Sequence, residues 1–173
     1  NWVWDAHVMR ATTMGTSNIS GGGGLMADPY TGLAYPQRIA SAELTYKTGL
    51  PIKQNLDWLT VKTADQIDVP ADAWVDWDAK NQKFITAGER SPKGLTANIK
   101  SVVTYPADLF TTVKWHDGSP ISVGDFVMAF IESLDPGKKD SPIYDESLAA
   151  SIDAGLVSFK GYRITSTNPL TIE

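Results

Sequence analysis

The sequence predicts an α+β protein built on an antiparallel-rich, mixed sheet with two main helices. Short runs that alternate between apolar and polar residues recur along the chain, as half-buried strands require. Two longer runs instead place apolar residues at helical spacing. Short polar turns separate most of the strand-like runs, which favours hairpins over the βαβ units of a parallel sheet. We expect about six to eight strands in total.

Two strands are predicted between residues 42 and 63. Residues 42–47 alternate between apolar and polar side chains, which is typical of a strand with one buried face. Residues 56–63 form the second strand, with large apolar residues on both faces, so we expect both faces to be partly covered. The apolar face of the first strand consists of Ala42, Leu44 and Tyr46.

A hairpin and a longer strand follow. Residues 73–78 and 83–86 flank a polar turn, and this spacing brings Trp77 and Phe84 close enough to pair across the two strands. A polar loop at residues 88–94 leads into residues 95–105, whose alternation is the clearest in the chain. The apolar face of this longer strand consists of Leu95, Ala97, Ile99, Val103 and Tyr105.

The stretch VKWHDGSPISVGDFVMAF, residues 113–130, predicts a corner between a strand and a helix. Residues 111–115 are strand-like, and Asp117 and Gly118 are a strong turn signal. Ser122 is a good N-cap for the helix that follows, and a carboxylate three residues later completes a capping box. Each residue of the corner thus has a role in folding.

The first main helix carries its own start and stop signals. Asp125 lies at the third helical position, where its charge complements the positive end of the helix dipole. Ile121, just before the cap, is placed to pack on Phe126 as a hydrophobic staple. Asp-Pro-Gly at residues 135–137 ends the helix. Its apolar face consists of Phe126, Val127, Phe130, Ile131 and Leu134.

The last part of the chain predicts a second helix and two strands. Residues 144–155 form the helix, which Gly155 is expected to close. Residues 157–164 are strand-like, residues 166–169 form a turn, and a final strand begins at Leu170.

We divide the chain into an N-terminal segment, residues 1–32, and one α+β domain, residues 33–173. Four consecutive glycines at residues 21–24 predict a flexible surface loop, and residues 28–32 predict a turn. The chain opens on NWVWDAH, without an initiator methionine or a secretory leader. We therefore expect a mature form or an excised piece of a longer chain.

The composition argues against several classes of protein. The 173 residues suffice for one compact domain, and the formal net charge of −5, with no basic run, argues against a nucleic-acid partner. Cysteine is absent, which excludes disulfides, iron–sulfur clusters and thiolate zinc sites. No apolar run approaches the length that spans a bilayer.

No catalytic or metal-binding motif is present in the sequence. The two histidines, His7 and His116, lack the spacing of a zinc motif, and neither a calcium loop nor a nucleophile elbow occurs. We therefore predict no enzyme activity, no metal and no cofactor. Any two of the 20 acidic residues can form a paired-carboxylate site, so a hydrolase remains an open alternative.

The corner at residues 113–127 resembles the signature of family 5 extracellular solute-binding proteins. These are the oligopeptide-, dipeptide- and nickel-binding components of ABC importers. The good match covers about residues 95–173, close to half the chain, and residues 1–90 match less clearly. Val123 and Gly124 stand where the family commonly has alanine and an acidic residue, and Phe126 stands where valine is common. The residues that carry the signature are Trp115, His116, Asp117, Gly118, Pro120, Ser122 and Asp125.

The resemblance implies that the chain is part of the first lobe of a two-lobed periplasmic-binding-protein-like fold, type II, cluster C. The implied partners are a peptide or similar small solute, the remaining lobe and an ABC permease in the membrane. The implied location is periplasmic or extracellular, with a lipoprotein anchor as one option. In the family the signature itself is mostly scaffold, so it implies no ligand contacts.

Aromatic residues beside the flexible loops are our candidates for ligand stacking, because aromatic rings offer large and rigid contact surfaces. The chain has six tryptophans, which is many for its length. The same observation favours an alternative, a small carbohydrate-binding or interaction module that uses surface tryptophans. The candidate ligand-binding residues are Trp2, Trp4, Tyr30 and Tyr35.

Overall fold

A computed structural model describes residues 25–27, 34–36, 38–49 and 57–173. In this part of the chain a mixed sheet combines with a few helices, which confirms the α+β class. None of the described helices is long and apolar enough to cross a membrane. The strands are β1 Leu25–Ala27, β2 Ala34–Pro36, β3 Ser41–Lys47, β4 Leu59–Ala64, β5 Ile67–Asp68, β6 Trp74–Asp78, β7 Lys83–Thr86, β8 Thr96–Ala97, β9 Ile99–Thr104, β10 Ile164–Thr167 and β11 Leu170–Ile172. The helices are α1 Ala87–Arg90, α2 Leu109–Thr112, α3 Val123–Leu134 and α4 Glu146–Ser158, with a 3-10 turn at Asp135–Gly137.

The main sheet has five strands in the order β10-β11-β9-β3-β4. Within this sheet, β3 pairs antiparallel with β9 on one side and parallel with β4 on the other. The remaining contacts of this sheet are antiparallel, so the prediction of an antiparallel-rich, mixed sheet is confirmed. Ala42 of β3 lies opposite Val103 of β9, and both are buried in the largest apolar cluster together with Phe126 of α3.

The predicted hairpin is confirmed in its register. Strands β6 and β7 pair antiparallel, with Trp77 directly opposite Phe84. The two rings meet edge to face, with centroids 5.0 Å apart. Trp74, on the same strand as Trp77, also stacks on Phe84, with centroids 4.0 Å apart. Cross-strand aromatic pairs of this kind stabilise a two-stranded ribbon.

The longer strand predicted at residues 95–105 is interrupted in the structure. Strand β8 pairs with β5 in a separate ribbon, whereas β9 joins the main sheet. Between them, the carbonyl of Asn98 accepts from the N–H of Lys47 at 2.8 Å. The predicted apolar face is therefore not continuous: Ile99 is 51% exposed, while Val103 and Tyr105 are buried.

Two short helices occur in segments for which the sequence predicts a loop and a strand. The segment expected to be a polar loop, residues 88–94, begins instead with α1. Thr86 and Glu89 cap the N-terminus of this helix in a capping box. The strand expected at residues 111–115 is α2 in its first half. The hydroxyls of Thr111 and Thr112 donate to the carbonyl of Asp108, which favours a helical turn over an extended strand.

The two main helices differ in how well the sequence predicts their ends. Helix α3 begins after Ser122 and ends at the Asp-Pro-Gly turn, as predicted. Helix α4 continues through Gly155 to Ser158, so the prediction that this glycine closes it is wrong. The strand predicted at residues 157–164 correspondingly shrinks, and β10 begins only at Ile164.

The N-terminal part of the chain is described only at β1 and β2. These strands pair antiparallel, with Leu25 opposite Pro36 and Ala27 opposite Ala34. Neither strand is predicted from the sequence, because each is only three residues long. The predicted glycine loop at residues 21–24 and the turn at residues 28–32 lie outside the described residues.

Candidate functional site

The corner that carries the family resemblance is a tight turn between an extended segment and α3. The N–H of Gly118 donates to the carbonyl of Trp115 at 3.0 Å, and the N–H of Trp115 donates to the carbonyl of Ser119 at 2.8 Å. Lys114 and Pro120 face each other in an isolated antiparallel bridge. Gly118 has φ of +85°, a left-handed conformation that favours glycine. The turn is therefore closed by the backbone itself.

The carboxylate of Asp117 holds the tip of this turn. It accepts from the N–H of Ser119 at 2.9 Å and from the Ser119 hydroxyl at 2.6 Å. These two hydrogen bonds, with a smaller electrostatic contribution from His116, lower the pKa of Asp117. Both His116 and Asp117 are exposed. His116 and Asp117 thus lie on the surface, in a local turn, and not at the base of a cavity.

The start of α3 is capped and anchored as the sequence predicts. The carboxylate of Asp125 accepts from the N–H of Ser122 at 2.6 Å and from its hydroxyl at 2.9 Å. Ile121 is buried in the same apolar cluster as Phe126, the arrangement of a hydrophobic staple. Trp115 packs against this cluster from the other end of the turn. The polar residues of the corner hold the bend, and the apolar residues fix it to the core.

The residues predicted to bind ligand lie almost entirely outside the described part of the chain. Trp2, Trp4 and Tyr30 are not described, so their roles stay predictions. Tyr35 lies on β2, where its backbone pairs with Met26 of β1. The described residues therefore do not test this candidate set.

A second polar cluster, which the sequence analysis missed, surrounds Trp77. Asp76 is 8% exposed and Asp135 is 9% exposed, and both bond to this tryptophan. The backbone N–H of Trp77 donates to Asp76 at 2.8 Å, and its indole N–H donates to Asp135 at 2.8 Å. Two buried carboxylates are thus held by one tryptophan.

Both carboxylates are satisfied by further donors. The Nζ of Lys138 lies 2.6 Å from one oxygen of Asp76, and Arg90 donates to the other oxygen. The hydroxyl of Ser141 donates to Asp135 at 2.6 Å. Burial alone would raise the pKa of Asp76, but the hydrogen bonds from Lys138 and Trp77 and the two positive charges outweigh it, so the net pKa is lowered.

This cluster is better suited to holding elements together than to proton transfer. A carboxylate that is kept ionised between two cations is a weak base, and a general base works best with a pKa near the operating pH. Asp76 instead joins β6 to α1 through Arg90 and to the segment after the 3-10 turn through Lys138. One sequence signal was available: Asp76 is an acidic residue between two apolar residues of a predicted hairpin. Among the described residues, no group of three or more His, Cys, Asp or Glu side chains is placed to bind a metal ion.

The described tryptophans are used mainly for packing. Trp77 is buried, and Trp58, Trp74 and Trp115 are half-buried. Trp74 stacks on Phe84 and lies over Tyr162, which in turn stacks on Phe130 with centroids 4.6 Å apart. The flat row of exposed indoles that a carbohydrate-binding surface needs is not formed by these residues.

Comparison with known proteins neither supports nor contradicts the family resemblance. No family model, curated protein or solved structure is significantly similar to this chain. The functional hypothesis therefore rests on the signature residues around His116 and on the geometry in which they are found.

Proposed function

We propose that this chain is part of the substrate-binding subunit of an ABC importer and belongs to its first lobe. In this proposal it captures peptides or similar small solutes outside the cytoplasmic membrane and delivers them to a permease. The single observation that carries the proposal is the corner at residues 113–125, whose sequence resembles the family signature. Its geometry supports the scaffold role that the signature has in that family.

The proposed mechanism is binding without chemical conversion. A second lobe closes on the solute by a hinge motion, and the interactions that form in the closed cleft supply the binding free energy. The buried carboxylates support this interpretation, because Asp76 and Asp135 both accept hydrogen bonds from donors of the protein itself. Groups in that state stabilise a fold and are poorly placed to act on a substrate.

The test is to identify the solute that copurifies with the complete gene product containing this sequence. The protein is purified without denaturation, then unfolded, and the released small molecules are analysed by mass spectrometry. We expect one or a few peptides, or another small solute, in near-stoichiometric amount. Release of oligosaccharide would instead favour the carbohydrate-binding alternative, and recovery of reaction products would favour an enzyme. Either result would overturn the proposal.

The scaffold role of the corner predicts how His116 responds to substitution. Because its side chain is exposed and lies on the turn, we expect His116→Ala to change the affinity for the identified solute by less than about twofold. Isothermal titration calorimetry on the complete gene product measures this, with His116→Gln as the matched variant. A large loss of affinity in both variants, with thermal stability unchanged, would place His116 in the binding site and contradict the scaffold role.

A further inference from the structure

Within the described part of the chain, two tyrosines of the main core have hydroxyls without a hydrogen-bond partner. Tyr105 is 1% exposed and Tyr162 is 2% exposed, and neither hydroxyl bonds to any group in the described part of the chain. A buried hydroxyl without a partner costs free energy, and nearly all buried polar groups in native proteins are satisfied by protein or by ordered water. Each of these two hydroxyls therefore calls for a polar partner.

The two rings pack against successive turns of one helix. Tyr105 packs edge to face on Phe126, with centroids 5.3 Å apart, and Tyr162 stacks on Phe130 at 4.6 Å. Phe126 and Phe130 are four residues apart on α3, so they share one face of the helix. An electrostatic influence of Tyr162 on the hydroxyl of Tyr105 also indicates that the two groups are close.

Backbone pairing fixes the main chain that carries each ring. The N–H of Tyr105 donates to the carbonyl of Leu170 at 2.9 Å. Trp74 and Tyr162 exchange backbone hydrogen bonds of 2.8 and 2.9 Å. Burial raises the pKa of both phenols, so each hydroxyl stays protonated and can both donate and accept at neutral pH.

We propose that an internal water molecule is bound between the hydroxyls of Tyr105 and Tyr162. Water suits this site because it supplies both donors and acceptors, and each phenol needs one partner. Among the described residues, the core cluster that holds both tyrosines is built of apolar side chains such as Val103, Leu170 and Ile172. The bound water would link the end of β9 to the segment before β10.

A double-mutant cycle distinguishes a bridging water from a dry pair of hydroxyls. If the water is present, Tyr105→Phe and Tyr162→Phe each leave the other hydroxyl poorly satisfied. We expect each single variant to raise the unfolding equilibrium constant about fivefold. The double variant should be no less stable than either single variant, because no buried hydroxyl is then left unsatisfied. If the site is dry, each substitution removes an orphan hydroxyl, so both single variants become more stable and the effects add.

A spectroscopic measurement tests the water directly. Water-to-protein cross-relaxation in NMR should show a long-lived water near the ring protons of both tyrosines in the wild-type protein. The signal should be lost in the double variant and retained in Tyr144→Phe, a control at a half-buried tyrosine. Absence of this signal in the wild type, or stabilisation by both single variants, would overturn the proposal.

Discussion

At the scale of single residues, Asp76 connects more of the protein than any sequence pattern around it indicates. Its carboxylate bonds to the backbone of Trp77, to Lys138 and to Arg90. These contacts join the β6–β7 hairpin to α1 and to the segment that leads into α4. A buried carboxylate in such a network is costly to disturb, because removing its charge leaves the cations without a partner.

We expect Asp76→Asn to lower the free energy of unfolding by about 2 kcal/mol. Breaking a buried ion pair typically costs more, but Arg90 is partly solvated, which reduces the loss. The side chain of Arg90 is 39% exposed and that of Lys138 is 18% exposed, so water compensates for part of the loss. Urea denaturation followed by tryptophan fluorescence measures the effect. The exposed Asp153 on α4 provides the control, and Asp153→Asn should change the free energy of unfolding by less than about 0.5 kcal/mol. Equal effects of the two substitutions would contradict the structural role of Asp76.

Asp76 also predicts how stability depends on pH. Its pKa in the folded protein lies below the ordinary value of 3.8, because the contacts from Lys138, Trp77 and Arg90 outweigh the effect of burial. A lowered pKa stabilises the folded state above the unfolded-state pKa, and that contribution is lost as the pH falls through the folded-state value. The free energy of unfolding of the wild type should therefore fall more steeply below about pH 4 than that of Asp76→Asn. Urea titrations between about pH 3 and pH 7 give both curves, and parallel curves would contradict the prediction.

Residue contacts could be predicted from the sequence where the interaction is local or follows from a hairpin. The Ser122–Asp125 cap joins residues three positions apart, and the pairing of Trp77 with Phe84 follows from one short turn. The ion pair of Asp76 with Lys138 has no such local rule. It depends on where α3 and the 3-10 turn place a lysine relative to the hairpin, which only tertiary packing decides.

At the scale of elements, the end of a helix can differ from the one that residue propensities predict, because tertiary packing also determines it. Gly155 predicts a helix end because glycine is common just after helices. In the structure α4 instead continues to Ser158 and places Leu156 against the cluster of Trp77 and Leu134. Burying Leu156 favours another turn of helix, and that outweighs the conformational cost of one internal glycine.

Opposite effects are expected from two glycine-to-alanine substitutions. Gly155→Ala should raise the free energy of unfolding by about 0.5–1 kcal/mol, because alanine favours a helix interior. Its Cβ would meet no atom within 4 Å. Gly118→Ala should lower the free energy of unfolding by about 1 kcal/mol, because φ there is +85° and the space is equally open.

Chemical denaturation of both variants under one set of conditions measures the two effects. The pair controls for the nature of the substitution, since only the backbone conformation differs. A loss of stability in Gly155→Ala as large as that in Gly118→Ala would mean that α4 ends at Gly155, as the sequence alone predicts.

At the scale of the whole molecule, the class of fold could be predicted but the strand order could not. Alternation along β3 and helical spacing along α3 are local patterns, and each produced the expected element. The insertion of β11 between β10 and β9 depends on contacts between segments that are far apart in the sequence. Periodicity marks which residues are buried, but it does not select the partner strand.

The two main helices are held to the rest of the molecule unequally. Helix α3 buries Phe126, Ala129 and Leu134, whereas α4 fully buries none of its residues. We expect the backbone amides of α4 to exchange with solvent at least about tenfold faster than those of α3, through local opening. Hydrogen exchange followed by mass spectrometry measures this, with peptides from β9 as a protected reference. Equal protection of the two helices would contradict the unequal attachment.

The position of β11 has a consequence for how the chain is made. Strand β9 has β3 on one side, but its other neighbour is synthesised only after both main helices and β10. Until residues 170–172 have left the ribosome, one edge of β9 lacks its native partner, and an unpaired edge invites association with other chains. We therefore expect the central sheet to be completed only once these residues have emerged, with chaperones most able to act on the nascent chain before that point.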